Sequence, residues 1–158
     1  MNNSLLKAEV TIRPASLKDA AEIAAVYLSS RKEYVSCAPL AHSDNSVRNW
    51  IKTLLVPAGN VMLALIKDEI VGLCVISVDD KASWIDHLYL KPGHLRKGIG
   101  AVLLTDALTK LSKPIRLYTF QENEGARRFY EHYGFAAITF GDGSGNEEKT
   151  ADVLYELV

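Results

Sequence analysis

Arg96-Lys97-Gly98-Ile99-Gly100 runs directly into the apolar stretch Ala101-Val102-Leu103-Leu104. A basic glycine turn that opens a helix can hold an anion. The first amide N–H groups of a helix have no partner within it and lie at the positive end of its dipole. Gly98 and Gly100 let a phosphate approach the backbone without meeting a Cβ, and Arg96 and Lys97 add charge at the rim. Such a loop is expected to hold a pyrophosphate. Spacing sets two familiar glycine loops aside. A dinucleotide fingerprint requires a third glycine where Leu103 stands, and a Walker loop requires Gly-Lys-Ser/Thr where Gly100 is followed by Ala101.

A second group of chemistry-bearing residues follows, Asn123-Glu124-Gly125-Ala126-Arg127-Arg128-Phe129-Tyr130, continuing to Gly134-Phe135. Asn123 is a good N-cap, and Ala126, Phe129, Tyr130 and Tyr133 recur at helical spacing. Gly134 is placed to end that helix in a left-handed conformation. Tyr130 brings a phenol, whose pKa of about 10 keeps it protonated near neutrality and able to donate. Arg127 and Arg128 suit either a compact anion or a solvated helix face.

The elements that must position these groups are legible in outline. Val10–Arg13 reads as a strand stopped by Pro14, and Ser16 to Asp19 as a capping box opening a helix to about Arg31. Ser43 or Asp44 can cap a second helix carrying Val47, Trp50, Ile51, Leu54 and Leu55. Strands 61–66 and 70–78 flank Lys67-Asp68-Glu69 as a hairpin. Trp84–Leu90 is the strand before the glycine loop. Ile115–Phe120, Phe135–Phe140 and Val153–Leu157 complete the strands, with a mobile polar loop over 141–146. The predicted order is β-α-α-β-β-β-α-β-α-β-β.

At 158 residues with a net charge of −1, the chain reads as one α/β domain (1–158) able to bury a core without metal or disulfide staples. Such a balance gives no bulk field for nucleic acid or an anionic membrane. Cys37 and Cys74 form no metal-ligand cluster and fit a reducing compartment. No signal-peptide core or membrane-length apolar run is present, so the cytoplasm is the expected location.

With both glycine-loop and Asn123 motifs in this order, the chain resembles the GNAT acetyltransferases. Their loop reads Gln/Arg-x-x-Gly-x-Gly/Ala and their later signature Asn-x-x-Ala-x-x-Phe-Tyr-x-x-x-Gly-Phe. The second is matched at every specified position; in the first, Leu95 replaces Gln/Arg. The resemblance is strong over Trp84–Phe135 and a matter of pattern elsewhere. It implies a GNAT fold, a mixed central β-sheet with helices on both faces and strands splayed at a cofactor wedge. It also implies acetyl-coenzyme A as acyl donor, held by the backbone of Leu88, Tyr89 and Leu90, by Leu95, Arg96, Lys97, Gly98, Ile99 and Gly100, and by Asn123, which chiefly caps its helix. The side chains of Leu88, Tyr89 and Leu90 then do ordinary core work.

The implied reaction is direct attack of a primary amine on the thioester in a ternary complex, with Tyr130 as the acid for the departing sulfur. The carboxylate that many relatives carry on the strand before the loop falls here at Trp84. Asp86, which strict alternation places on the same face, is the nearest base, and His87 faces the other way. His42 is the second candidate, in the segment between the first two helices. Arg31, Tyr34, Pro39-Leu40, His42 and Asp44, with Asn146-Glu147-Glu148, outline the acceptor end. The acceptor is a small-molecule or peptide amine, and a homodimer stays open. The rival function is a catalytically silent acyl-coenzyme A sensor or partner-binding module on the same fold.

Overall fold

The structure, a computed structural model, describes residues 9–158. Strand β1 (Thr11–Pro14) leads through a tight turn at Leu17–Asp19 into helix α1 (Ala20–Tyr34). Asp19 secures this entry, accepting from the Ser16 amide at 2.8 Å and from both Arg13 terminal nitrogens at 2.8 and 3.0 Å. Helix α2 (Asp44–Trp50) starts at Ser43, whose hydroxyl accepts from the Ser46 amide, and it continues into a wider π-helical turn over Ile51–Leu55. Strands β2 (Val61–Ile66), β3 (Glu69–Val78) and β4 (Ser83–Leu90) follow, then α3 (Ile99–Lys110), β5 (Ile115–Phe120), α4 (Glu124–His132), β6 (Ala136–Gly141) and β7 (Asp152–Leu157).

These seven strands form one sheet in the order β1-β2-β3-β4-β5-β7-β6. Every neighbouring pair is antiparallel except β4–β5. A parallel pair needs a crossover, and α3 supplies it. Period-2 alternation sends side chains to two cores. One packs α1 and α2 against Leu63, Leu65, Leu73 and Val75; the other packs α3 and α4 against Cys74, Ile85, Leu117 and Tyr155. Gly72 lets α3 lie close, because a Cβ there would stand 2.8 Å from Leu90 and 3.0 Å from Leu103. The helices therefore flank the sheet on both faces, with β4, the strand around which the site is built, between them.

Candidate active site

Strand β4 breaks regular pairing on both sides. Toward β3, Val75 faces His87 while Ile76 faces Ile85, so Asp86 is the extra residue of a β-bulge. Toward β5, pairing ends with Ser83–Ile115 and Trp84–Arg116, although β4 runs on to Leu90 and β5 to Phe120. Beyond Trp84 that edge of β4 has no ladder partner, leaving peptide groups that require one. A cavity of about 930 Å³ lies here, walled by Ile85–Leu90, the end of β5, the loop before α3, helix α4 and the end of α1.

The bulge corrects the strand-face reading. Strict alternation would pair Asp86 with Trp84 and set His87 opposite. Instead His87 packs against Tyr27 of α1 and Trp50 of α2, with ring centroids at 5.5 and 5.7 Å. Trp84 stacks on Tyr118, whose neighbour Leu117 belongs to the opposite core, so Trp84 and His87 share a face. Asp86 remains exposed on the cavity wall, but its kinship with the Trp84 face is gone.

Tyr89 also departs from expectation, because its side chain is more than core filling. Its Oη accepts from Arg31 Nη1 at 3.2 Å and lies 3.5 Å from His87 Nδ1. Arginine only donates, so Tyr89 Oη is the acceptor in that pair. Burial, and secondarily the Arg31 charge, pull the His87 pKa from 6.5 down to about 4, so this ring is neutral near pH 7. The signal in sequence was a tyrosine between Leu88 and Leu90, since a buried phenol needs a polar partner.

A stability consequence follows from His87. The unfolded chain takes up its proton near pH 6.5 and the folded chain only near 4. Between those values the unfolded form binds more protons, so stability is full above the unfolded pKa and falls as pH drops toward the folded one. Urea unfolding at pH 7.5 and 5.5 should show this loss, and His87→Gln should shrink it. A loss of equal size in the variant would locate its origin elsewhere.

The glycine loop carries the conformation an anion cradle needs. Gly98 has φ +85° and caps α3, and Arg96 is also left-handed at φ +61°. Val102 donates to the Gly98 carbonyl, so the amides of Ile99, Gly100 and Ala101 precede the first helical bond. Leu95, Arg96, Gly98 and Gly100 line the cavity; Ile99 turns its side chain fully into the core. Leu95 is exposed and adds no polar contact where the motif has Gln or Arg. Tyr34 Oη accepts from the Gly93 amide at 2.8 Å, tying the turn before this loop to α1.

Helix α4 faces the loop across the cavity. Asn123 caps it, its Oδ1 accepting from the Ala126 amide at 3.2 Å, and it lines the cavity with Arg128, Phe129 and Tyr130. Arg127 is spent on Tyr155 Oη at 3.0 Å. Gly134 ends the helix at φ +94°. Tyr130 is buried, and among the described residues its hydroxyl has no hydrogen-bond partner. Burial pushes its pKa above the ordinary phenol value, so it keeps its proton across the neutral range.

The acceptor-end residues divide. Arg31 and Tyr34 reach the cavity wall. His42 does not line it; it is exposed and paired with Glu147 at 3.0 Å. Asp44 is held by Lys32 at 2.7 Å in a surface ion pair. Asn146 braces its own loop, donating to the Thr150 carbonyl and to Asp152. Among the described residues no helix is long and apolar enough to cross a membrane.

The parted strand pair, the glycine-led start of α3 and the buried Tyr130 thus meet at one cavity. Residues 24–135 match the model of the Acetyltransferase (GNAT) family, and the chain belongs to that family. No curated protein matches the sequence. Solved structures share the fold at low identity. A GNAT-family acetyltransferase from Bacillus cereus superposes with a TM-score of 0.74 at 17% identity, covering 94% of this chain and 96% of its own. The PaiA N-acetyltransferase of Thermoplasma acidophilum, in complex with coenzyme A, gives 0.71 at 22% identity, covering 94% and 99%. Arabidopsis thaliana Naa50, in complex with the bisubstrate analogue CoA-Ac-MVNAL, gives 0.68 at 19% identity, covering 95% and 99%.

Proposed function

We propose that this protein transfers an acetyl group from acetyl-coenzyme A to a primary amine by direct attack within a ternary complex. The observation that carries the reading is the parting of β4 from β5 beyond Trp84, beside the left-handed Gly98 at the start of α3. Free strand edge, helix amides and Arg96 together fit a ligand with an amide-bearing arm and a pyrophosphate. When bound, acetyl-coenzyme A supplies an electrophilic thioester carbonyl and a sulfur leaving group.

The chain's own residues do the rest. The amides from Leu95 to Gly100 and the side chains of Arg96 and Lys97 hold the pyrophosphate, with Asn123 steadying the α4 side. The backbone of Leu88, Tyr89 and Leu90 orients the arm along the open edge of β4. Tyr130 holds a proton at Oη for the departing sulfur. The incoming amine must lose one: with a pKa of about 10, only about a thousandth is neutral at pH 7, a deficit of about 4 kcal/mol. Asp86, exposed on the cavity wall, takes that proton through water. His42, fixed to Glu147 away from the wall, is the weaker base.

A screen of diverse amines for coenzyme A release tests the reading. Release with at least one class is expected; coenzyme A binding with no release from any amine would mark the silent sensor. On a good amine, Asp86→Asn should lower kcat/KM by about tenfold and flatten the limb that rises with pH, whereas His42→Gln should keep it. Should both variants keep the full limb, neither is the base, and the limb reports the amine losing its proton to solvent.

A further inference from the structure

Arg31 is buried on the cavity wall, and its bonding is incomplete. The side chain is 7% exposed. Nη1 donates to Tyr89 Oη at 3.2 Å, and Nη2 donates to the Ala38 carbonyl at 2.8 Å. Its ion-pair partner Glu148 offers one oxygen to Nη2 at 3.3 Å. Nε is buried with no partner among the described residues. Charge-assisted N–H···O bonds between such groups usually lie at about 2.7–2.9 Å and are often two-pronged. A guanidinium taken out of water requires a full set of anionic and hydrogen-bonding partners, and this one lacks it.

The rest of its surroundings reads as a holder for a second carboxylate. The guanidinium carbon lies 5.6 Å over the Phe120 ring, which braces one flat face and leaves exchange of partners to the in-plane edge now shared with Glu148. Glu148 comes from the irregular segment between β6 and β7, and its neighbour Glu147 reaches His42 in the α1–α2 connection. A loop carboxylate thus sits loosely on a buried arginine in the wall of the cavity. Asp86 is the one acidic side chain on that wall among the described residues. Arg31 reaches the cavity from the α1 side, where it meets Tyr89.

We propose that Arg31 is a specificity residue that binds a carboxylate of the acceptor in place of Glu148, so that the acceptor is an amino-carboxylate such as a free amino acid. This rests on the acetyl-transfer reading for the reaction but not for the binding.

The test compares free acids with partners that lack only the charge: L-phenylalanine against L-phenylalaninamide, and L-lysine against lysinamide and cadaverine. For at least one pair the acid should be favoured by about 100-fold in kcat/KM, the scale of a buried charge left unpaired. Calorimetry of the same pairs in the presence of coenzyme A should show the same preference as affinity. Glu148→Gln should lower KM for the acid several-fold by removing its competitor, and Arg31→Met should bring the acid-to-amide ratio toward one. Equal or better use and binding of the amides by the wild type would overturn the proposal, as would no binding of any acid. Acid preference that survives in a folded Arg31→Met would also overturn it. If Arg31→Met fails to fold, Glu148→Gln decides, and an unchanged KM for the acid sinks the idea. Acid-selective binding with no coenzyme A release would instead defeat the transfer reading and leave the carboxylate subsite standing.

Discussion

Tyr130→Phe is expected to lower kcat by about 10- to 1000-fold, the usual cost of losing a positioned acid, while the fold stays as stable as before. The second half follows from the surroundings of the ring. Tyr130 makes edge contacts with Phe129 at 5.2 Å and Phe135 at 5.7 Å, and both survive in phenylalanine. Its hydroxyl bonds to no described residue, so deleting it leaves no orphaned partner behind. The same burial that raises its pKa keeps it protonated, so no alkaline loss of activity from this group should appear near neutrality. The measurement is kcat on a good amine beside urea unfolding. Full kcat in the variant would return Tyr130 to a packing role and leave the sulfur to depart unassisted.

How much of this site the sequence announces depends on the range of the interaction. Local signals were legible: Ser43 and Asn123 cap the helices they should, Gly134 closes α4, and Ile115–Phe120 is a strand to the residue. The element order and the two motifs then place the glycine loop and Tyr130 around one cavity. The Asp86 bulge was not legible, because counting alternate residues assumes unbroken pairing, and a bulge is decided by the partner strand. Its effect was large, since it turned His87 and Tyr89 onto the α1 side. The Arg31–Glu148 contact joins residues far apart in the chain, in a helix and an irregular loop. No periodicity encodes such a meeting. His42 shows the converse: a residue type suited to base chemistry, in a plausible segment, was drawn to a surface carboxylate instead.

The glycine loop gives the second large effect. Gly98→Ala should weaken coenzyme A binding by about 100-fold, through a methyl group placed where a phosphate must meet the amides of α3. Strain alone is a rival cause, because Gly98 sits at φ +85°, a region L residues enter at a cost of about 1–2 kcal/mol. Gly93 supplies the control. It lies in the preceding turn at φ +88°, and a Cβ there would meet nothing within 4 Å. Gly93→Ala therefore carries comparable strain without touching the α3 amides. Isothermal titration of coenzyme A into both variants separates the causes, with unfolding curves to confirm that their stabilities fall together. A loss confined to Gly98→Ala supports the cradle. Equal losses in the two would trace the effect to strain in the turn, and no loss in Gly98→Ala would move the pyrophosphate off this loop altogether.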